Sequence, residues 1–493
     1  MLNLITDPWI PVLRESGMPE IVRPDQIADP DVQRFNWPRA DLNLACHELL
    51  VGMIYLACPP TANSQRFSPP DADTFRAGLE PLIPAFNLLG VGPCFMQDFE
   101  ILEGEAKAPD MLFIDSAGAA TQSKNADLMV RRSRYPVLPL PLAAMALYTL
   151  QAFAPAGGSG NRTSMRGGGP MVTLVKPKGQ GLWQLVWANV PCGKPLGVDG
   201  QEKLPWMRPT ATSEKGQVVT PTGDVMNGPH PEMFFGQPRR LRLVGTDAGV
   251  SGVIQRKYGT NYTQWIHYLT PYYRDKSGQV LPVHPKPGPF SYHNWRGILL
   301  KDNKSQRAEV LKDYPTGPGI PSADLIVAGW AMDNMKPLDF LWSEQPIFPL
   351  NPDAEYAAIS MVEAAEQVVF LLTKVLCIAT NENNVAGGMA DTARRSFFNR
   401  TQTLFERRLG SLSEGKEPDH AGWLKDLRNI AIPIFDAEVL PGLSQMHESR
   451  RKKVVEARKS LVLAFEGYGS YAKKIYDPLE LELPATKQRK KTT

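Results

Sequence analysis

Cysteine is scarce and shows no pattern: Cys46, Cys58, Cys94, Cys192 and Cys377 are odd in number and include no CxxC pair. That argues against a disulfide framework and a structural zinc site, and makes a reducing cytoplasm the expected compartment. Neither sign of charge is in excess. Lys+Arg 54 against Asp+Glu 51 leaves a formal net charge of +3, so a polyanionic partner would have to be met by a local patch. The N-terminus, Met1 to Trp9, has neither the basic start nor the apolar core of a signal peptide. No apolar run is expected to cross a bilayer, and no membrane partner is expected.

Catalytic patterns are missing too. His47, His230, His267, His284, His293, His420 and His447 show no HxH or HExxH spacing, which leaves a metal hydrolase unsupported. No G-x-S-x-G nucleophile elbow occurs, and no Gly-Lys-Ser/Thr opens a helix as a Walker loop requires. His47 reads as a structural histidine on an apolar helix, and Cys377 as core. These residues offer no catalytic constellation, and no metal or cofactor is expected.

Proline is plentiful. Its 45 residues lie mostly before about residue 353, which predicts short strands, short helices and long connections there. With 493 residues the chain is too long for one core. Ile10 to Leu13, Val172 to Val175 and Leu182 to Val190 read as strands, the last with Trp183, Leu185 and Trp187 on one face. Asp41 to Leu56 reads as a helix capped by Asp41, and Leu142 to Phe153 as another. Beyond residue 353, Val362, Ala365, Val369, Leu372 and Leu376 recur at helical spacing. Asp391 to Leu409, His420 to Leu440 and Ser449 to Phe465 behave similarly, with Pro433 expected to kink or split the third helix. The predicted class is α+β: a large mixed α/β N-terminal domain over residues 1–353, with short strands and long loops. An antiparallel four-helix bundle over 354–480 and a disordered basic tail over 481–493 follow it.

The stretch Pro155 to Pro170 combines many glycines with Arg162 and Arg166. Glycine permits positive φ and close approach, and arginine offers planar donors that suit phosphate or base edges. A flexible surface loop has the same composition. Cations cluster at Arg131, Arg132 and Arg134, at Arg239, Arg240 and Arg242, and at Arg450, Arg451, Lys452 and Lys453; each cluster reads as a binding patch or a solvated face. Tyr272 to Gly278 places Arg274 and Lys276 beside tyrosines, as a nucleic-acid groove or a plain polar turn would. Gly329 to Pro337 holds Asn334, Met335 and Lys336 together. An amide there can replace base-pair hydrogen bonds and an apolar neighbour can wedge a base step; the other reading is a connector.

In these segments the chain resembles the CasA family, the large subunit of the type I-E CRISPR surveillance complex Cascade. The resemblance runs from Asn3-Leu4-Ile5-Thr6-Asp7-Pro8-Trp9-Ile10-Pro11-Val12 through Pro93-Cys94-Phe95-Met96-Gln97 and the glycine-rich stretch. It continues through Phe234-Phe235-Gly236-Gln237-Pro238 and Gly329 to Lys336 into the helical C-terminal region. The order and spacing of these motifs carry it.

The resemblance implies a non-catalytic DNA reader: guide RNA pairing supplies sequence recognition and the protein checks a short flanking motif, the PAM. Family members probe that motif from the minor groove with a glycine loop and a lysine finger, and insert a wedge beneath it. Carried over, the loop is Ala156, Gly157, Gly158, Ser159 and Gly160, and the wedge is Asn334 with Met335 and Lys336. Arg274 and Lys276 are rival candidates for the finger. A loop facing the guide RNA's 5′ end and the adjoining backbone subunit falls around Lys124, Asn125, Met129, Arg131 and Arg132. Leu138-Pro139-Leu140-Pro141 stands where relatives often carry a cysteine pair, so zinc is not carried over.

The bundle arginines Arg394, Arg395, Arg400, Arg407 and Arg408 are candidates for holding the displaced strand. Implied partners are guide RNA (crRNA), double-stranded target DNA, the backbone, small and 5′-end-capping subunits, and a helicase-nuclease recruited after R-loop formation. The alternative is an enzyme that binds a phosphorylated ligand through its glycine-rich loop.

Overall fold

The protein is described by a computed structural model over residues 2–116, 123, 134–222, 229–315, 320–333, 336–381 and 388–484. The chain forms two compact units, Met1–Gly288 with Lys304–Ile347, and Pro289–Asn303 with Phe348–Thr493. The mixture of helices with small antiparallel sheets gives the α+β class expected.

The first unit opens with strands β1 (Ile10–Arg14), β2 (Pro19–Val22) and β3 (Val32–Phe35), in sheet order β2-β1-β3. Helix α1 (Ala40–Ala57) follows, apolar around its circumference as core helices are. Contrary to expectation, it is long and apolar enough to cross a bilayer, but 89% of it is buried inside the protein. Asp41 is not its cap. Arg39 holds the N-cap position, and the Asp41 carboxylate pairs with the Arg39 guanidinium at 2.9 Å and accepts from the Leu42 N–H.

Helix α2 (Leu140–Phe153) packs on α1 and leads through the glycine-rich stretch into β4 (Val172–Pro177). The segment expected as a third strand is instead helix α3 (Leu182–Ala188). Its buried residues Leu182, Trp183, Val186 and Trp187 fit a helical stripe as well as the alternation fits a strand. Tertiary hydrogen bonds decide between them: the Trp183 and Trp187 indoles donate to Pro70 O and Gln65 O at 2.8 and 2.9 Å. Asn189 pairs its side-chain amide with both backbone groups of Val175, taking the place a strand would fill.

Strands β5 (Arg240–Thr246) and β6 (Gly249–Arg256) form an antiparallel pair. Strands β7 (Tyr272–Arg274), β8 (Val280–Pro282) and β9 (Ser305–Gln306) make a small sheet of order β8-β7-β9. The segment around Gly329 is no mere connector. It belongs to a long hairpin of β10 (Ala323–Asp333) and β11 (Lys336–Pro346), and β4 pairs antiparallel with β10, Val172 opposite Ala328. That register puts the residues just before β4 beside the strand that leads into the hairpin turn.

In the second unit, α4 (Pro352–Thr380) packs against α5 (Met389–Ser413), α6 (His420–Val439) and α7 (Glu448–Phe465). Pro433 does not split α6, because Leu427, Ala431, Ile434 and Phe435 around it are all buried and hold the helix together. The strap Pro289–Asn303 packs into this unit. Tyr292 stacks on Phe405 with ring centroids 4.4 Å apart, and its hydroxyl lies 2.8 Å from Thr401 Oγ1. The tail at Lys487 to Lys491 lies outside the described residues.

Candidate nucleic-acid interface

The glycine-rich stretch is closed at its neck by bonds from Ser164 N–H to Ala154 O at 2.9 Å and from Gly169 N–H to Phe153 O at 3.1 Å. Its tip is a tight turn. Asn161 donates from its backbone to Gly158 O at 3.2 Å and from its side chain to Gly157 O at 2.6 Å. Gly158 and Gly160 both have φ 79, which other residues rarely adopt. Ala156 is half-buried; Gly157, Gly158 and Ser159 are exposed. Among the described residues, the N–H groups of Gly158, Ser159 and Gly160 have no protein acceptor.

The two arginines of the stretch bond within the protein, Arg162 half-buried and Arg166 fully buried. Arg162 donates to Ser213 Oγ at 2.8 Å and to Ser213 O at 3.1 Å. Arg166 is buried, pairs with Glu48 at 2.5 Å, and donates to Thr270 Oγ1 at 3.2 Å. Burial opposes charge on Glu48, but Arg166 and then His267 hold its carboxyl below the usual range. His267 is pushed down to about 4 by burial and by Arg166, so it stays neutral. This polar knot ties the base of the stretch to α1.

Arg239, Arg240 and Arg242 are likewise engaged in packing. Arg240 pairs with Asp98 at 2.6 Å, and Arg242 donates to Gly92 O and Asp98 O at 3.1 and 3.2 Å. Arg239 is buried beneath the glycine tip: its Nη2 donates to Pro155 O, and its Nη1 lies 2.4 Å from the place where a Gly157 Cβ would stand.

A cation that the sequence did not single out lies against Gly160. The Tyr258 N–H donates to Gly160 O at 2.6 Å, and a Cβ at Gly160 would stand 2.9 Å from Lys257 Cβ. Arg256 and Lys257 are exposed and make no ion pair among the described residues. The available signal was a basic pair ending a hairpin strand just before Tyr258-Gly259. Gly259 is required there, since a Cβ would fall 2.1 Å from Pro238 O.

The hairpin reaches the same stretch. A Cβ on Gly169 would stand 2.8 Å from Trp330 Cβ and 3.0 Å from Met332 Cε, and one on Gly168 3.6 Å from Met332 Sδ. The β10–β11 register shifts between Ala331 and Met332, a bulge that re-aims the last residues before the turn. Lys336 is exposed at the start of β11; Asn334 and Met335 lie outside the described residues.

Arg274 and Lys276 are exposed on the β7–β8 hairpin, where Arg274 donates back to Gly278 O at 3.4 Å. The contact of this hairpin with the stretch is made farther along, by Pro282 and His284 against Gly167. Lys124, Asn125, Met129, Arg131 and Arg132 lie outside the described residues.

On α5 the candidate arginines divide. Arg394 and Arg395 pair with Asp391 at 3.5 and 2.9 Å, and Arg408 pairs with Asp426 at 2.8 Å and lies over the Trp423 ring. Arg400 and Arg407 are exposed, with no ion pair among the described residues.

The whole chain resembles known structures. A crystal structure of CasA from Thermus thermophilus is 18% identical, with a TM-score of 0.72, over 97% of this chain and 99% of that one. Cse1 from Thermobifida fusca is 16% identical with a TM-score of 0.70, over 97% and 98% of the two chains. A chain of a CRISPR RNA-guided surveillance complex is 15% identical with a TM-score of 0.68, over 94% and 99%. At these identities the likeness establishes the fold. The family model for CRISPR-associated protein Cse1 matches residues 3–434, so the chain belongs to the Cse1 (CasA) family, the one its motifs resemble.

Proposed function

We propose that this chain is the large subunit of a Cascade surveillance complex, where it reads the PAM from the minor groove and starts strand separation. The observation that carries the reading is the convergence of two sequence-distant segments. The exposed tip at Gly157 to Ser159 and the hairpin strand ending at Asp333 are joined through Gly168, Gly169, Trp330 and Met332. Glycines admit the groove edge without side chains in the way, and the bulged hairpin supplies the wedge through Asn334, Met335 and Lys336.

In this reading Lys257, rather than Arg274 or Lys276, is the exposed cation that serves the loop, because it touches Gly160. Minor-groove edges separate A·T from G·C but not their orientation, so several flanking motifs should be accepted. The residues Lys124 to Arg132 are assigned to guide RNA and the neighbouring subunit, and Arg400 and Arg407 to the displaced strand. Arg394, Arg395 and Arg408 are left to their acidic partners. The chain itself turns nothing over, and the recruited helicase-nuclease does the cutting.

The test is a gel shift with guide-loaded complex, assembled with and without this chain, on matched duplexes that differ only in the flank. The reading expects flank-dependent binding that requires the chain. Equal binding without it would contradict the reading.

A further inference from the structure

Arg239 is an anomaly among the buried cations of the first unit. It is 6% exposed, yet among the described residues no carboxylate pairs with it and its Nε finds no acceptor. Arg166, by contrast, faces Glu48, and Arg39 faces Asp41 and Asp115. A buried charge without a counter-ion is destabilising unless something else meets it.

The local environment supplies only part of an answer. Gln151 clamps the Arg239 backbone from both sides, accepting its N–H at 3.0 Å and donating to its O at 2.9 Å, which fixes where the side chain points. Nη2 donates to Pro155 O, two residues beyond the last residue of α2, where the negative end of the helix favours a cation. That accounts for one edge of the guanidinium. Nη1 lies under exposed Gly157, where only the missing Cβ leaves it room.

Next to that glycine in the same tip, the N–H groups of Gly158, Ser159 and Gly160 lack protein acceptors among the described residues, and Gly158 and Gly160 turn the backbone with positive φ. Successive amides in such a turn make an anion-binding concavity.

We propose that the tip of the glycine stretch is a phosphate site: its backbone N–H groups receive one phosphate of the DNA backbone, and Arg239 is the buried positioning cation that charges the site through Gly157. This rests on the duplex-reading function and adds to it a sequence-independent contact that fixes register. Burial lowers the Arg239 guanidinium only to about 10, so it remains charged at neutral pH.

The test uses guide-loaded complex and matched duplexes in which one phosphate at a time near the flank is replaced by a neutral methylphosphonate, over a series of salt concentrations. In the wild type, one position should lower affinity roughly tenfold, the worth of one charge-assisted hydrogen bond. In R239Q, affinity should fall by a similar factor for every flank, the slope of log K against log salt should shrink by about 1, and that position should become silent. R239K should retain most of the slope. G157A, which keeps the charge but crowds the guanidinium, should silence the same position and serves if R239Q does not assemble.

Methylphosphonate effects that simply add to those of R239Q or G157A, or a loss confined to some flanks, would overturn the proposal. Flank-dependent binding with an unchanged slope in R239Q would sink this inference alone. A complex whose duplex binding does not involve the chain would sink the duplex reading as well.

Discussion

At the scale of single residues, neighbouring glycines of the loop have different reasons to be glycine. Gly158 and Gly160 share φ 79, but a Cβ at Gly158 meets nothing within 4 Å whereas one at Gly160 collides with Lys257 and Tyr258. G158A should therefore cost about 1 kcal/mol of backbone strain and leave the Lys257 side unchanged. G160A should displace Lys257 and weaken duplex binding about tenfold or more. Affinity measurements on both variants, each with and without K257Q, check this: K257Q should weaken binding further in G158A but not in G160A, and an equal further loss in both would mean that Lys257 plays no part.

Beneath them, Glu48 and Arg166 are 1% and 2% exposed and 2.5 Å apart. Breaking such a buried pair is expensive, so E48Q should lose about 3–5 kcal/mol in denaturant unfolding of the first unit. Sequence alone distinguished neither case. Arg162 and Arg166 read as outward forks because their partners, Ser213 and Glu48, are remote in the chain, and Arg239 looked like one of three surface cations.

At the scale of elements, the polar knot of α1, the loop base and the segment before β7 links stability to pH. The His267 ring faces Glu48 and Arg166 and accepts from the Leu269 N–H, and its proton affinity is pushed down to about 4. An unfolded histidine titrates near about 6.5. As pH falls from that value toward 4, the unfolded chain takes up a proton that the native state refuses, so stability falls; above the window this residue contributes no slope. Urea midpoints should drop between pH 7 and pH 5, and H267Q should flatten that dependence in part. His47, held down to about 3 chiefly by burial, contributes to the remainder, as do His230 and His284, which burial also lowers.

Elements with one strong signal were legible: β1, β4, α2 and the bundle helices came from periodicity. The α3 segment was not, because Leu182 to Val190 fits both periods and only Pro70, Gln65 and Val175 choose between them. The hairpin was read as a short motif because nothing local announces that Val172 will pair with Ala328.

At the scale of the whole chain, the strap was the least legible feature. Pro289 to Asn303 carries no helical or strand signal, yet Tyr292 is fully buried among Phe398, Phe405 and Trp423. A segment beginning at residue 348 therefore lacks part of its own core. Y292A should destabilise the second unit by about 3–5 kcal/mol, read as a lower unfolding midpoint of the bundle; a midpoint within error of wild type would mean that the strap is dispensable.

On the same unit, R400Q with R407Q should shorten the lifetime of an opened target duplex while leaving initial flank recognition intact, which separates strand holding from reading. The central claim is that the glycine loop and the β10–β11 hairpin act together to open DNA at the flank. It is tested most directly by 2-aminopurine fluorescence at the first base pair beside the flank, with guide-loaded complex carrying either the wild-type chain or a chain with N334A, M335A and K336A. The account predicts a rise in fluorescence on binding with the wild type and little or none with the hairpin variant, although both still discriminate flanks. An equal rise with both chains would contradict it.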